Sequence, residues 1–370
     1  MKARYIPVSR PALIGRERDY VMDCLESSWI SSNGKYIDLF EKHFAEYLGV
    51  KHAAACSNGT TALHLALLAL GVGPGDEVIV PTLTYVATAN AVTYTGATPV
   101  LADCEADAWT LDPDQVEALI TSKTKAIIPV SLYGHPCNMD PLLELAEVHK
   151  FHVIEDAAEA LGTRYKGKLC GSIAKISTFS FYGNKTITTG EGGMVVTDDD
   201  DLAAKVRILK GQGMDPLRRY WFPMVGYNYR MTNIQAALGV AQLENIEKFL
   251  AKRRDIGDLY NTHLRDVPGI TLPVEKDYAT RSYWMYSILI EEEYGKSRDH
   301  VMLKLAENDV ETRPFFYPMH IMPVHGNKKL SPLMNAERIA SKGITLPTFF
   351  ELEREDIVFI TNLLKKECRQ

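Results

Sequence analysis

Three short segments bring together residue types that can do chemistry. The first, Ser57-Asn58-Gly59-Thr60-Thr61-Ala62-Leu63, follows an apolar strand and opens an apolar helix. The free N–H groups of a helix start, with hydroxyls beside them, suit a phosphate, and Gly59 lets the backbone approach a ligand closely. The same residue types also make an ordinary N-cap, and both readings stand. The second segment, Val153-Ile154-Glu155-Asp156-Ala157-Ala158-Glu159-Ala160, ends an apolar strand on an acid. Ligands of open α/β sheets collect at the carboxyl ends of strands, which suits Asp156, and an acid there equally caps a following helix. The third segment, STFSFYGNKTITTGEGG at 177–193, carries Lys185 between a Ser/Phe-rich strand and a Gly-rich turn. Most lysines are solvated. One held in a dry pocket loses its charge readily and becomes a nucleophilic amine.

Together the segments supply what pyridoxal 5'-phosphate (PLP) requires: a helix start for the phosphate, a carboxylate to keep the pyridine nitrogen protonated, and a lysine to form an imine. The chain has no GxxxxGK[ST] and no GxGxxG after a strand, which argues against a P-loop and against a Rossmann dinucleotide site.

The elements that must position these residues read as α/β. Candidate strands are 52–56, 77–81, 99–103, 125–131, 152–155, 176–181 and 193–197, several of them apolar without alternation, as expected of strands covered on both faces. Helical patterns at 60–70, 113–121 and 141–150 lie between them, so a mainly parallel sheet is expected. The link between the last two strands is too short for a crossover helix, and they should pair antiparallel. From 232 to 264 apolar residues recur at helical spacing, predicting one rod of about 50 Å. It would join a large domain, 1–245, to a small α+β domain, 246–370, with strands near 283–290 and 310–316 and helices at 331–341 and 354–365.

Composition sets the outer bounds. With 370 residues, 46% hydrophobic and 24% charged, the chain is an ordinary globular one with room for two domains. A net charge of −6 gives no reason to expect nucleic acid as a partner. No apolar run is long enough to span a membrane, and the N-terminal residues lack a signal-peptide core, so a cytoplasmic location is expected. Cys24, Cys56, Cys104, Cys137, Cys170 and Cys368 are widely spaced and are expected to be free thiols. His320 and His325 lack a third ligand at suitable spacing, so no metal site is expected. The acidic run 198–201 reads as a solvated turn and helix start.

Five stretches, SNGTTALHLAL (57–67), VIVPTLTY (78–85), IEDAAEA (154–160), STFSFYGNKTITTGEGG (177–193) and GYNYRMTNIQAA (226–237), resemble in type and order those of the DegT/DnrJ/EryC1/StrS sugar aminotransferases. The resemblance runs from about residue 6 to residue 347. It implies a PLP-dependent fold-type I enzyme, aspartate-aminotransferase-like, with a mostly parallel seven-stranded sheet and a smaller α+β C-terminal domain. It implies a homodimer whose active sites are shared between subunits. By the same resemblance Lys185 carries PLP, Asp156 pairs with the pyridinium nitrogen, and Gly59, Thr60 and Ser180 hold the phosphate. Asn228 reaches the phosphate in the neighbouring subunit, and Tyr85 stacks on the ring. Glu159 stands beside the ring hydroxyl, where many relatives carry Gln. A related dehydratase carries His at the position of Lys185, so lysine there favours transamination.

A finer similarity, in WISS (29–32), GQGMDPLRRYW (211–221) and TRPFFYPMH (312–320), is to members that aminate C4 of GDP-4-keto-6-deoxymannose for O-antigen lipopolysaccharide. The implied partners are L-glutamate, released as 2-oxoglutarate, and the nucleotide-linked keto-sugar, with pyridoxamine phosphate between the half-reactions. Ser31, Ser32, Arg230, Tyr317 and His320 are the candidate substrate contacts, each also readable as packing or bracing. The pair Arg218 and Arg219 is either a pyrophosphate contact or a solvated turn. A UDP- or dTDP-linked keto-sugar is the rival substrate. A catalytically silent regulatory or binding protein on the same fold is the rival class.

Overall fold

The computed structural model describes residues 5–326 and 333–368. Its strands, in chain order, are β1 (His52–Cys56), β2 (Glu77–Pro81), β3 (Thr98–Ala102), β4 (Thr124–Ile127), β5 (His152–Asp156), β6 (Arg164–Tyr165), β7 (Lys168–Leu169), β8 (Ile176–Ser180) and β9 (Gly193–Thr197). After them come β10 (Ile270–Thr271), β11 (Ala279–Thr280), β12 (Tyr286–Ile290), β13 (Arg313–Pro314) and β14 (Gly343–Leu346). The helices are α1 (Glu17–Glu26), α2 (Lys35–Leu48), α3 (Gly59–Ala69), α4 (Ala87–Tyr94), α5 (Pro113–Leu119) and α6 (Met139–His149). They continue with α7 (Asp200–Lys210), α8 (Asn233–Leu243), α9 (Ile246–Leu264), α10 (Arg298–Ala306), α11 (Met334–Lys342) and α12 (Arg354–Cys368).

Seven strands form the main sheet in the order β1-β9-β8-β5-β4-β2-β3. All pairings are parallel except those of β9, which runs antiparallel to both β1 and β8. The short Gly-rich link permits that reversal, as its length led us to expect. Neighbouring residues of β1 and β9 go to opposite cores. Ala53, Ala55, Met194 and Val196 face α2 and α8, whereas Ala54, Cys56 and Val195 face α3 and α7. The sheet is therefore covered on both faces, which explains apolar strands without alternation. β5 lies at its centre, so its carboxyl end opens in the middle of the sheet.

On one face an aromatic cluster joins a helix to the sheet. Phe44 of α2 meets Phe179 and Phe181 edge-on, with ring centroids 5.0 and 5.4 Å apart. Phe40 lies 5.0 Å from Phe181. Phe181 starts the loop that carries Lys185, so the cluster fixes the root of that loop.

The remaining strands form two smaller sheets. β10, β12, β14 and β13 make an antiparallel sheet with its own core of residues such as Tyr286, Ile288, Ile344 and Leu346. β11, β6 and β7 make a small three-stranded sheet. The predicted strand 310–316 shrinks to β13. It is an edge strand, and Pro314 has no N–H to extend the ladder. Of the predicted helix 331–341, residues 331 and 332 lie outside the described residues, and α11 begins at Met334.

The single rod expected over 232–264 is two helices. Asn245 leaves helical geometry (φ −112°, ψ 12°), its N–H bonds to Gln242 O, and its side chain donates to Ala241 O at 3.1 Å. Its own carbonyl then accepts the N–H groups of Lys248 and Phe249 and starts α9. Apolar spacing continues through the break, which is why periodicity alone misses it. α9 bridges two cores: Phe249 and Leu250 pack with the main sheet, and Ile256, Tyr260 and Leu264 pack with the smaller one.

Replacing Phe44, whose side chain is fully buried, by Ala should cost about 3–5 kcal/mol of stability, from lost burial and the cavity left behind. Urea unfolding of the variant measures this, and a loss below about 1 kcal/mol would contradict the packing described.

Candidate active site

A cavity of about 520 Å³ opens where the carboxyl end of β5, the N-terminus of α3, the 181–192 loop and residues of the smaller sheet meet. Asp156 is the last residue of β5 and is 4% exposed. Thr88, in the first turn of α4, donates its hydroxyl to Asp156 Oδ2 at 3.0 Å, and the Ala158 N–H donates to Oδ1 at 3.2 Å. Burial pushes the Asp156 carboxyl up, and those two donors and the Lys185 charge push it back down.

Lys185 is held on a loop tied at both ends. Phe181 N–H bonds to Gly192 O, Thr189 N–H to Phe181 O, and Lys185 N–H to Tyr182 O. The side chain is 13% exposed. Its Nζ lies 3.7 Å from Glu159 Oε1 and 3.8 Å from the ring centroid of Trp284. The Trp284 Nε1–H donates to Asn184 O at 2.8 Å, fixing the residue before the lysine. Desolvation pulls the Lys185 amine below the usual lysine range, against the opposing pull of Glu159 and Asp156. Glu159 is 4% exposed and accepts the Tyr133 N–H at 2.8 Å.

The N-cap reading of the 57–63 segment holds. Asn58 caps α3, accepting the Thr61 N–H at 2.9 Å while the Thr61 hydroxyl accepts the Asn58 N–H at 3.1 Å. The next two residues, Gly59 and Thr60, line the cavity with Ser180 across from them. A Cβ on Gly59 would stand 2.8 Å from Ser180 Cβ, closer than side chains tolerate, so only glycine leaves the cradle open. This donor set fits PLP: a helix start and a hydroxyl for a phosphate, a buried carboxyl at a strand tip, and a desolvated amine in the same cavity.

Seven expected site residues line the cavity: Gly59, Thr60, Tyr85, Asp156, Glu159, Ser180 and Lys185. The others lie elsewhere in the chain. Asn228 and Arg230 are exposed neighbours, and the Arg230 guanidinium donates to Asn228 Oδ1 at 3.0 Å. Ser31 and Ser32 sit outside the lining, with Ser31 O accepting the Asn233 N–H. Tyr317 is exposed and also outside it. His320 is buried away from the lining, and both ring nitrogens are engaged, Nδ1 with Thr82 Oγ1 at 2.8 Å and Nε2 with Glu337 at 3.0 Å. Sequence reasoning missed Thr88, Trp284 and Arg313, which line the cavity too. Arg313 lies in a stretch singled out for resemblance. Nothing local in the sequence marks Trp284, which comes from just before β12, about a hundred residues after the lysine. Among the described residues no cluster of three or more His, Cys, Asp or Glu could hold a metal, and no helix is long and apolar enough to cross a membrane. All six cysteines are free.

A mostly parallel sheet with a buried acid at its central strand tip, and a largely desolvated lysine in the same cavity, is the arrangement of a PLP-dependent aminotransferase of fold type I. The chain belongs to the DegT/DnrJ/EryC1/StrS aminotransferase family, whose pattern matches residues 11–365. It is 55% identical over 353 residues to the GDP-perosamine synthase of Caulobacter vibrioides, covering 95% of each chain. It is 50% identical to the GDP-perosamine synthase of Escherichia coli O157:H7, covering 96% of this chain and 97% of that one. Its structure is similar to the PLP form of the sugar aminotransferase Spr1654 from Streptococcus pneumoniae, with a TM-score of 0.93, 30% identity and 99% of each chain covered.

Gly59→Ala should weaken PLP binding by about tenfold or more, since the added methyl competes with Ser180 for the cradle. Absorbance titration of the cofactor-free variant measures this, and unchanged affinity would contradict a phosphate cradle at the α3 start.

Proposed function

We propose that the protein transfers an amino group from L-glutamate to C4 of GDP-4-keto-6-deoxymannose, giving GDP-perosamine and 2-oxoglutarate. The observation that carries this reading is the buried Lys185 amine and Asp156 carboxyl sharing one cavity, in a chain so similar over nearly its full length to GDP-perosamine synthases. Gly59, Thr60 and Ser180 hold the PLP phosphate, Tyr85 covers the ring, Glu159 stands beside it, and Asp156 meets its nitrogen. When bound, PLP supplies an aldehyde carbon for an amine and a cationic ring that accepts electron density.

The chain's own residues then do three things. Lys185 Nζ takes the proton that leaves the donor's Cα and gives a proton back on the same face, as general base and then general acid. Desolvation lowers its proton affinity, which favours the neutral, proton-accepting form relative to an exposed lysine. Asp156 keeps a negative charge fixed where positive charge must be held, oriented by the Thr88 hydroxyl and the Ala158 N–H before any substrate arrives. Tyr85, Tyr133, Trp284 and Phe316 give the cavity aromatic walls against which a flat ring can pack.

The assembly in this reading is a homodimer. Asn228 and Arg230 complete the neighbouring subunit's cavity, Asn228 at the phosphate and Arg230 at the substrate. Both are exposed and outside their own cavity, close in sequence to exposed Leu217, Tyr220 and Val225. Ser31, Ser32 and Tyr317 complete the sugar subsite in the assembly, whereas His320 supports the loop carrying Tyr317. The large domain is residues 1–245 and the small domain 246–370, meeting at the α8–α9 break.

Lys185→Ala should lose at least about 10²–10⁴-fold in turnover from acid–base chemistry alone. Asp156→Ala should lose roughly 10²–10³-fold in kcat with little change in KM for the sugar. Steady-state kinetics checks both, and near-normal kcat in either variant would contradict the assigned role. Mixing inactive Lys185→Ala and Asn228→Ala subunits should restore activity, because one site of each mixed dimer is then intact; no recovery in verified mixed dimers would contradict sharing. The reading as a whole is tested by presenting GDP-, UDP- and dTDP-4-keto-6-deoxy sugars side by side with glutamate. Preferred turnover of the GDP sugar is expected, and preference for another base would overturn the substrate.

A further inference from the structure

The cavity holds a second acid besides Asp156, and it lies within ion-pair distance of the amine. Glu159 Oε1 lies 3.7 Å from Lys185 Nζ, and Glu159 Oε2 is anchored by the Tyr133 N–H at 2.8 Å. The other side of the amine is covered by the Trp284 ring at 3.8 Å. Both side chains are largely dry, at 13% and 4% exposure. A buried amine beside a buried carboxyl has two states of equal net charge, ammonium with carboxylate or neutral amine with carboxylic acid, that differ by the place of one proton. We propose that Glu159 is the proton partner of Lys185, a positioning residue that shares one proton between Oε1 and Nζ and so sets when the amine is free to act.

The step is balanced within the pair. Once the two atoms, 3.7 Å apart, close to hydrogen-bond distance, an N–H bond of the ammonium breaks, an O–H bond on Glu159 forms, and no other reactant is needed. Burial pushes the Glu159 carboxyl up to about 7, against the lowering pull of Lys185, while burial pulls the Lys185 amine down. The two groups are thus brought toward each other and titrate as a coupled pair. The charged and titratable groups around them are Asp156 on the same turn, Tyr85 before α4, Tyr133 from the 132–134 turn, Tyr182 and Glu191 from the link between β8 and β9, and Arg313 from β13, all lining the same cavity. Of these, Asp156 also attracts the ammonium, more weakly than Glu159.

This deepens the aminotransferase reading and rests on it, yet its test needs neither substrate nor turnover. In the full-length protein freed of cofactor, acetylation of Lys185 is followed by peptide mass spectrometry across a pH series, with exposed Lys168 as internal standard. Glu159→Gln keeps the shape and an acceptor for the Tyr133 N–H but removes the charge that favours the ammonium. The midpoint of Lys185 reactivity should fall by about one pH unit. An unchanged or raised midpoint would overturn the pairing, because a merely structural side chain would leave it in place. The coupling must also be reciprocal. In Lys185→Met the Glu159 carboxyl, followed by isotope-edited infrared titration, should rise above its wild-type midpoint, and a midpoint that stays or falls overturns the proposal even if Glu159→Gln does not fold. Failure of either titration leaves the substrate assay untouched, so the two readings fail separately.

Discussion

The structure depends on keeping one ammonium-forming side chain and two carboxyls out of water in a single cavity. Removing isolated charges from water costs several kcal/mol each, so the site persists only if each group finds partners. Asp156 has the Thr88 hydroxyl and the Ala158 N–H, Glu159 has the Tyr133 N–H, and Lys185 has Glu159 and the face of Trp284. The partners come from α4, the turn after β4, the turn after β5 and the bend before β12. The charge cost is met by elements far apart in sequence, and the fold serves to bring them to one strand tip.

Two packing devices hold that convergence. The aromatic cluster of Phe40, Phe44, Phe179 and Phe181 fixes the start of the lysine loop from beneath the sheet. From the other side, buried Arg253 of α9 donates to the carbonyls of Trp284 and Thr348 and so fixes the bend that carries the tryptophan. Burial lowers the Arg253 guanidinium to about 10, which still leaves it charged at neutral pH, and it spends that charge on backbone oxygens.

Much of this was legible in the sequence. The main-sheet strands show as apolar runs because helices cover both faces, and the capped start of α3, the strand-tip acid and the lysine each lie in a segment whose chemistry is local. What escaped is what depends on distance. Trp284 and Thr88 acquire their roles only when the chain folds back, and neither residue type is unusual where it stands. The break at Asn245 is a single side-chain capping event inside an unbroken apolar period. β14, a central strand of the smaller sheet, is only four residues long and was passed over. His320 has the residue type of a ligand contact, yet its two nitrogens serve Thr82 and Glu337, and no sequence pattern reveals which partners a histidine meets.

The central claim, that Lys185 is the amine that holds the cofactor, is tested most directly by a chemical trap. The PLP-loaded protein is reduced with borohydride, digested, and its peptides mapped by mass spectrometry. The expected result is one phosphopyridoxyl group, on the peptide containing Lys185. A tag on any other lysine, or none at all on protein carrying bound PLP, would contradict it.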